Sequence, residues 1–381
     1  MGDRLKLGKG APIHEAERAR QGKAVRPKHA RPPAVKGRPE RGRRAPPPPP
    51  PLAGRPLYLF LTEPGLADLT LLELRHLKLV ARKARPTRLF LRSQDMLVLP
   101  ADLVDPGRAR SRLCANVLRA PVFGRGAITP RQLDTLAGLF RGGGYRRLVS
   151  SVAGEAFGRQ DLMLWIGREL SSRGVALADA GRALRLIVVD QAFYFAEEIQ
   201  NHHDAPGRGA APAREGALPG TVAAAMAFAA ELADGETVWD PVAGSGNLLA
   251  EVAAMAKGAT LLATDVDGAA VEALKARFAG RAWVERADAA AVALPTDALT
   301  LTIANLPFGK QYKAEAGNRD LYAGIMANSL AHAAEAWRGV FLTSDGRAIA
   351  DAAKRNGLAL KSIAQIKVRG LPATIWKTGR I

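Results

Sequence analysis

Two stretches of the chain between residues 57 and 381 differ in how their apolar and polar positions alternate. In the first stretch, 57–200, apolar runs of strand length are interrupted by helical periods, without strict alternation between the two. Such a mixture favours a small α+β unit. The predicted strands are 57–61, 88–92, 95–99, 145–152 and a hairpin of 185–189 with 192–196, and the predicted helices are 69–77, 129–141 and 160–170.

The second stretch, 217–381, repeats a strand followed by a helix several times. Because consecutive parallel strands need a crossover, which is usually a helix, this series predicts an α/β domain with helices on both faces of a parallel sheet. A closing pair of extended runs would add one antiparallel strand to that sheet. The predicted strands are 237–240, 260–265, 282–286, 299–304 and 339–343 with the closing pair 361–368 and 374–378, and the predicted helices are 221–232, 248–257, 269–278 and 322–337.

The segment 1–56 has a different composition. It holds 15 Lys and Arg, 4 Asp and Glu and 12 of the 25 prolines, so it carries +11 of the formal charge of +19. Few large apolar residues are present to offset its ordering entropy, so we expect a disordered basic arm that ends in a polyproline spacer. We interpret it as a tether for a polyanion such as nucleic acid, with a solubilising tail or a transit peptide as alternatives. A run rich in Gly, Ala and Pro at 201–216 predicts a linker between the two folded domains.

The composition of the whole chain excludes several classes of protein. With 48% hydrophobic residues, a chain of 381 residues can bury a core, which excludes a wholly disordered polycation. Cys114 is the single cysteine, which excludes a disulfide framework and a cysteine-rich metal site. No apolar run reaches the roughly 18–20 residues that cross a bilayer, and the amino-terminal segment is polar. We therefore expect a soluble, basic protein of the cytoplasm that does not contact membranes.

A glycine-rich turn follows the first strand of the second stretch. The segment Asp240-Pro-Val-Ala-Gly-Ser-Gly246-Asn ends a strand and opens a helix, and its glycines let the backbone approach a ligand closely. Leu249 stands where the dinucleotide pattern has its third glycine, and the acid at 240 suits a cationic amino group such as that of a methionine moiety. The turn fits a nicotinamide cofactor or S-adenosylmethionine, and these two details favour the second.

Two acidic residues follow the next two strands. Asp265 lies 19 residues beyond Gly246, where a carboxylate can accept hydrogen bonds from both ribose hydroxyls. Asp288, after the third strand, could accept a hydrogen bond from the amino group of adenine. A helix N-cap is an equally good interpretation of Asp288.

The segment Ile303-Ala-Asn305-Leu306-Pro307-Phe308-Gly follows the fourth strand, and the carboxyl ends of parallel strands are where open α/β sheets bind ligands. The side-chain carbonyl of Asn305 and the backbone carbonyl of Leu306 can each accept a hydrogen bond from one planar amino group. These bonds would orient the nitrogen lone pair while Phe308 stacks on the base. The alternative is a turn with a buried phenylalanine, which the two upstream motifs make less favourable.

The combination of Asp240-Pro-x-x-Gly-Ser-Gly with Asn305-Leu-Pro-Phe-Gly resembles the class I methyltransferases that modify amino nitrogens. The segment 214–226 is similar to the one that precedes the catalytic domain of THUMP-domain RNA methyltransferases, which make N2-methylguanosine in transfer or ribosomal RNA. Residues 59–77 resemble the ferredoxin-like start of those enzymes, and 148–170 with 185–189 resembles a diverged THUMP module. The resemblance covers residues 57–381. It implies a Rossmann-like domain with a mostly parallel seven-stranded sheet and a terminal antiparallel hairpin, preceded by a smaller α+β RNA-binding domain.

The resemblance also implies roles for individual residues. The chain has Leu306 where the commoner pattern has a second proline, and Ala243 where relatives often have cysteine. The pair of acceptors survives the first change if the carbonyl of Leu306 points into the site. The implied catalytic residues are Asn305, Pro307 and Phe308, and the implied cofactor-binding residues are Asp240, Ala243, Gly244, Gly246, Asp265, Asp288 and Asn305.

Together these features predict an enzyme that transfers a methyl group from S-adenosylmethionine to an exocyclic amino nitrogen of structured RNA. Guanine N2 of tRNA is the favoured acceptor, and ribosomal RNA, adenine N6 in DNA or RNA and a protein glutamine are the alternatives within the same chemistry. An RNA-binding protein with an inactive methyltransferase domain is a second alternative, and a nicotinamide dehydrogenase is a third. The predicted partner is tRNA or rRNA.

Overall fold

A computed structural model describes residues 55–91, 93–105, 110–152, 159–201, 217–308 and 317–380. The predicted basic arm, apart from its last two residues, lies outside the described residues, and so does the predicted linker beyond Asn201. Of the helices that are described, none is long and apolar enough to cross a membrane.

The first domain is built on one sheet of seven strands. The strand order is β2-β3-β1-β4-β7-β6-β5, and neighbours are antiparallel except for β5 and β6. The strands are β1 Leu57–Thr62, β2 Thr87–Phe90, β3 Asp95–Pro100, β4 Cys114–Arg125, β5 Arg147–Val152, β6 Ala183–Val189 and β7 Ala192–Asn201, and the helices are α1 Ala67–His76, α2 Pro130–Gly142 and α3 Arg159–Ser171.

Local sequence explains where these helices begin and what they cover. Thr129 and Gln132 form a reciprocal capping box at the start of α2, where Pro130 occupies the first turn. Helices α2 and α3 pack through Leu136 and Ile166 on the apolar side of β4, β6 and β7. Helix α1 packs in a separate cluster on β1, β3 and β4. The single sheet therefore carries two distinct helical layers.

The second domain is a sheet of seven strands in the order β10-β9-β8-β11-β12-β14-β13. All neighbouring strands are parallel except β14, which runs antiparallel to both β12 and β13. This arrangement confirms the predicted fold class of a Rossmann-like domain with a terminal antiparallel hairpin. The strands are β8 Thr237–Asp240, β9 Thr260–Asp265, β10 Ala282–Arg286, β11 Leu299–Asn305, β12 Ala333–Thr343, β13 Leu358–Val368 and β14 Leu371–Arg380, and the helices are α4 Gly220–Ala229, α5 Asn247–Met255, α6 Gly268–Phe278, α7 Gly317–Ala331 and α8 Gly346–Arg355.

The structure corrects two expectations. The helix predicted over 322–337 is wrong in its second half, because β12 begins at Ala333 and buries Trp337. Of the run Ala-Ala-Glu-Ala, Ala333 pairs with β11, and the register then shifts so that the next paired residue is Arg338. The central strand β4 was not predicted from the sequence. Its Pro121 sits at an irregularity in the pairing between Arg119 and Val122, which is where a strand tolerates a residue without an N–H.

The two domains share a continuous interface. Leu66 and Leu69 at the start of α1 lie in one buried cluster with Val222 of α4. Gly65, with φ +91°, brings its backbone against β13, and a Cβ added there would lie 1.9 Å from the carbonyl oxygen of Gln365. No side chain fits at this position, so the glycine is needed for the close approach of the two domains.

Candidate active site

Three predicted site residues, Asp240, Asp265 and Asn305, end the neighbouring strands β8, β9 and β11. Trp239 in β8 is level with Thr302 in β11, and Asp240 is level with Ala263 in β9. The carboxyl ends of β8, β9 and β11 therefore lie side by side. Since the chain continues from β8 to one edge of the sheet and returns to β11 on the other side, this is the point where open α/β sheets form their binding crevice.

The glycines of the turn after β8 have separate roles. Both have left-handed backbones, with φ +51° at Gly244 and φ +72° at Gly246. A Cβ on Gly246 would lie 2.7 Å from Leu274 and 2.8 Å from Phe278, so this glycine allows α5 to pack against α6. A Cβ on Gly244 would have only the carbonyl oxygen of Val242 nearby, at 4.0 Å. Gly244 therefore faces open space, where a ligand can approach the backbone.

The end of β9 holds this turn in place. The N–H of Ala243 donates to the carbonyl of Thr264 at 3.0 Å, and the hydroxyl of Thr264 donates to the carbonyl of Pro241 at 3.0 Å. Asp265 accepts the N–H of Gly244 on one oxygen at 2.8 Å and that of Asp267 on the other at 3.0 Å. A carboxylate oxygen has two lone pairs, so each oxygen of Asp265 retains acceptor capacity for a ligand hydroxyl.

A residue that the sequence analysis missed supports the same turn from α6. The guanidinium of Arg277 donates through Nη1 to the carbonyl of Ser245 at 2.5 Å and to Oδ1 of Asn247 at 2.7 Å. Burial lowers the pKa of Arg277, while the nearby charge of Glu251 acts in the opposite direction. The only sequence signal for this role is a cationic residue in the last turn of a predicted helix, which is common at helix ends.

Asp240 is a carboxylate that is almost completely buried, so its ionised form is destabilised by the loss of water. It is 1% exposed, and its described hydrogen bond comes from the N–H of Val242 at 3.2 Å. Burial raises the pKa of Asp240 well above its usual range, and the charge of Asp265 raises it further. A raised pKa means that burial destabilises the ionised carboxylate, and a cation bound beside it would stabilise that form. The geometry therefore suits a positively charged ligand group.

The ends of β9 and β10 form a second part of the site. Val266, directly after Asp265, is 65% exposed, which is unusual for a large apolar residue and was not singled out from the sequence. Arg286 pairs with Asp265 in the sheet and donates to the carbonyl of Val266 at 3.0 Å. Asp288 is exposed, and its Oδ1 accepts the N–H of Ala290 at 2.9 Å within a turn; no helix begins there, so the alternative of a helix N-cap is wrong. The contact with Ala290 uses one of its two oxygens.

Asn305 ends β11 with an unused acceptor. Its Oδ1 is buried and has no hydrogen-bond partner among the described residues. Leu306, which follows, is 1% exposed and packs in the cluster beneath α7 and α8. Phe308 is half-buried against the cluster on the opposite face, which contains α4 and α5. The chain thus crosses the end of the sheet between these two residues, with the Asn305 amide next to the crossing.

A hydrogen-bonded chain fixes the carbonyl of Pro307. The hydroxyl of Tyr322 in α7 donates to this carbonyl at 2.7 Å and lies 2.9 Å from the hydroxyl of Thr343. Thr343 in turn accepts the N–H of Asp345 at 3.0 Å. Burial raises the pKa of Tyr322 to about 12, so it remains a donor at neutral pH. Tyr322 was predicted only as a helix residue, because nothing in the sequence indicates which carbonyl it contacts.

Comparison with known proteins identifies the second domain. Residues 208–373 match the family model described as RMKL-like, methyltransferase domain. The chain is similar in fold to TrmN from Thermus thermophilus, with a TM-score of 0.66 and 20% identity over 86% of this chain and 100% of that one. A structure described as a predicted N6-adenine-specific DNA methylase from Listeria monocytogenes gives a TM-score of 0.63 and 13% identity over 86% and 97%. The structure of SMU.472, described as a putative methyltransferase complexed with SAH, gives a TM-score of 0.60 and 12% identity over 86% of this chain and 98% of that one.

The second domain thus matches a methyltransferase domain, and the predicted cofactor, S-adenosylmethionine, is borne out. The residues present fit that group. Asp240 suits the amino group of the cofactor, and the oxygens of Asp265 suit its ribose. The open side of Gly244 leaves room for the part of the cofactor between these two groups. Val266 offers an apolar surface for adenine. The individual roles of these residues, of Asp288 and of the Asn305 motif stay predictions, as do the RNA substrate and the THUMP module.

Proposed function

We propose that the protein is an S-adenosylmethionine-dependent RNA methyltransferase that modifies an exocyclic amino nitrogen, with guanine N2 of tRNA as the acceptor. The observation that carries the proposal is the buried Oδ1 of Asn305, which has no hydrogen-bond partner in the part of the chain that the structure describes and which ends the strand next to β8. An unsatisfied buried acceptor costs about 1–3 kcal/mol, so its presence at a ligand-binding edge needs a donor to explain it. An amino group on a flat base is such a donor.

The two acceptors at the end of β11 match the two hydrogens of a base amino group. With one N–H on Oδ1 of Asn305 and the other on the carbonyl of Leu306, the nitrogen lone pair points out of the plane of the base. In this proposal Phe308 stacks on that base, and the hydrogen bond from Tyr322 to Pro307 supports the backbone between Leu306 and Phe308. An unpaired or flipped nucleotide is required, because the amino group of a paired guanine is already hydrogen-bonded.

S-adenosylmethionine, when bound, supplies an electrophilic methyl group. The protein contributes orientation, since Asp240, Asp265 and Gly244 hold one reactant while Asn305 and Phe308 hold the other. Neither an amide nor a backbone carbonyl accepts a proton at neutral pH. The amine proton therefore leaves to solvent after the methyl group has been transferred, and no general base is needed among these residues.

The RNA part of the proposal rests on charge and on the first domain. Residues 57–381 carry the remaining +8 of the formal charge, in addition to the arm at +11. A THUMP-like first domain would bind folded RNA through its shape and phosphates, and the arm would raise affinity without sequence preference. TrmN is similar in fold over both domains, and so is the Listeria protein described as a predicted N6-adenine-specific DNA methylase, so adenine N6 in DNA is the acceptor to be distinguished from guanine N2.

The first experiment identifies the acceptor. Purified protein is incubated with labelled S-adenosylmethionine and with tRNA, rRNA, DNA or protein fractions, and the products are digested and examined by nucleoside mass spectrometry. We expect label in tRNA as N2-methylguanosine. Label in N6-methyladenine, or in protein alone, would overturn the proposed acceptor while leaving the amino-nitrogen chemistry of the site.

The second experiment tests the role of Asn305. We expect Asn305→Ala to lower turnover about 100- to 1000-fold, in line with the loss of one preorganised hydrogen-bonding group, with cofactor affinity and thermal midpoint nearly unchanged. Asn356→Ala is the matched control. That side chain donates to the carbonyls of Ala323 and Ala352, so its loss should lower the thermal midpoint and leave turnover intact. Near-normal turnover in Asn305→Ala would exclude the proposed mechanism.

A further inference from the structure

A basic groove lies in the first domain, away from the Asn305 motif. It is formed by one side of α1 and by the segment that leads from α1 into β2, and it encloses about 780 Å³. Five of its nine lining residues are cationic and one is acidic: Arg75, Arg82, Lys83, Arg85 and Arg88, with Asp68. The groove therefore has a formal charge of +4, whereas the cofactor site is lined by carboxylates.

Two of the five cations are used by the fold. Arg88 forms an ion pair with Asp68, and Nη2 of Arg75 donates to the carbonyl of Ala84 at 2.8 Å, which holds the segment against the helix. The other three, Arg82, Lys83 and Arg85, are exposed and form no ion pair with any described residue. Three cations held close together repel one another, so an anion bound among them is stabilised.

The shape and lining indicate what kind of anion fits. A single phosphate would be neutralised by two of these side chains, whereas the three exposed cations at positions 82, 83 and 85 are distributed along the segment and suit several linked phosphates. A groove of this volume accepts a few nucleotides of one strand and is too small for a double helix. Leu72, which is 53% exposed, lies in the groove and offers an apolar surface to a base or sugar.

The groove is fixed relative to the catalytic domain, because its helix is the one that packs on that domain. Leu66 and Leu69 share a buried cluster with Val222 of α4, and the ring of His76 contacts that of Phe228 edge-on with centroids 6.0 Å apart. A strand held in the groove would thus lie at a constant distance from Asn305. A constant distance lets one binding event align a nucleotide elsewhere in the same RNA.

We propose that this groove binds consecutive phosphates of the substrate RNA and sets where along the RNA the methyl group is placed. This rests on the proposed function, because it takes RNA as the substrate. The groove contributes affinity and position but no sequence preference, since phosphate contacts carry none.

The test replaces the three exposed cations and spares the two that support the fold. The variant is Arg82→Gln/Lys83→Gln/Arg85→Gln. The control is Lys257→Gln/Lys354→Gln/Arg380→Gln, which removes the same charge from exposed positions at the ends of α5, α8 and β14. Those ends lie at the edge of the second sheet opposite the carboxyl ends of its parallel strands. Affinity for tRNA is measured at several salt concentrations, followed by KM and kcat for methylation.

We expect the groove variant to bind tRNA about 10- to 100-fold more weakly and to reduce the slope of log affinity against log salt by about 2, since each lost phosphate contact on a single strand contributes about 0.7. KM for tRNA should rise while kcat and S-adenosylhomocysteine affinity stay constant, and the control should bind as the unaltered protein does. An unchanged salt slope, or an equal loss of tRNA affinity in the groove variant and the control, would show that the groove does not bind the RNA. Absence of methyl transfer to any RNA would instead overturn the proposed function, and the binding measurement does not depend on it.

Discussion

Two buried carboxylates, Glu197 in the first sheet and Asp240 in the second, have opposite surroundings. Glu197 of β7 is 8% exposed and receives hydrogen bonds from Tyr145, from Arg119 at 2.7 Å and from Arg182 at 2.8 Å. Burial alone would raise the pKa of Glu197, but the bonds from Tyr145 and Arg119 and the charges of the two arginines bring it below its usual value. Asp240 of β8 is 1% exposed and has a raised pKa.

The difference separates scaffold from binding site. Glu197 is surrounded by donors and ties strands together, whereas Asp240 accepts a single backbone N–H among the described residues and has no cation beside it there. An unpartnered atom alone does not identify a site, because the hydroxyl of Tyr194 in the first sheet is also buried and has no partner among the residues described. Asp240 and Asn305 differ from Tyr194 in their position, at adjacent strand ends where α/β sheets bind ligands.

The largest expected effect concerns Asp265, on the ligand side of this comparison. Removing both oxygens with Asp265→Ala should weaken S-adenosylhomocysteine binding about 100-fold, since hydrogen bonds to a charged group contribute about 1.5–3 kcal/mol each. Calorimetric titration measures this directly. Asp265→Asn keeps one acceptor oxygen and should lose less, and tRNA affinity should not change in either variant. Equal cofactor affinity in Asp265→Ala and the unaltered protein would contradict the ribose assignment.

Glu197 tests the scaffold side. Glu197→Gln should lower the free energy of unfolding by about 2 kcal/mol, less than the 3–5 expected of a fully buried pair because Arg119 and Arg182 are partly exposed. S-adenosylhomocysteine affinity should be unchanged. A group with a lowered pKa stabilises the fold above its unfolded pKa and loses that contribution as pH falls through the folded value. The deficit of the variant, followed by thermal unfolding, should therefore shrink below pH 4.5, the ordinary value for this group. A deficit that grew on acidification would refute the pairing.

The catalytic domain could be predicted from sequence because its signals are local. Parallel strands buried on both faces read as apolar runs, so the strand predicted at 260–265 coincides with β9. The glycines at 244 and 246 stand where the backbone is left-handed, which few other residues adopt. The strand and turn motifs thus indicate the fold and predict the end of the sheet at which a ligand would bind.

Other parts could not be predicted, because their meaning comes from distant partners. Arg277 matters through Ser245 and Asn247, 32 and 30 positions away, and its own helix gives no sign of this. The strand β4 is broken in pattern by Pro121 and is recognisable only from its neighbours β1 and β7. The same holds for the basic groove, where ordinary surface arginines become a site only because the segment after α1 folds back on that helix.

The smallest expected effect is on stability and concerns Asp240, where the direction of the pH dependence is the informative part. A carboxyl group whose pKa is raised by folding stabilises the protein below its unfolded pKa and loses that contribution as pH rises through the folded value. Asp240→Asn removes the buried charge, so it should raise the stability of the ligand-free protein at high pH and raise it by less as pH falls.

Cofactor binding should respond to the same substitution in the opposite direction. The amino group of the ligand needs the ionised form of Asp240, so affinity of the unaltered protein for S-adenosylhomocysteine should fall as the pH is lowered through the raised pKa. Asp240→Asn should bind weakly at every pH and lose that dependence. Thermal unfolding and calorimetric titration over the same pH series give both quantities. A variant that is destabilised yet binds the ligand normally would place Asp240 with Glu197 among the scaffold carboxylates, and the contrast between the two sheets would no longer hold.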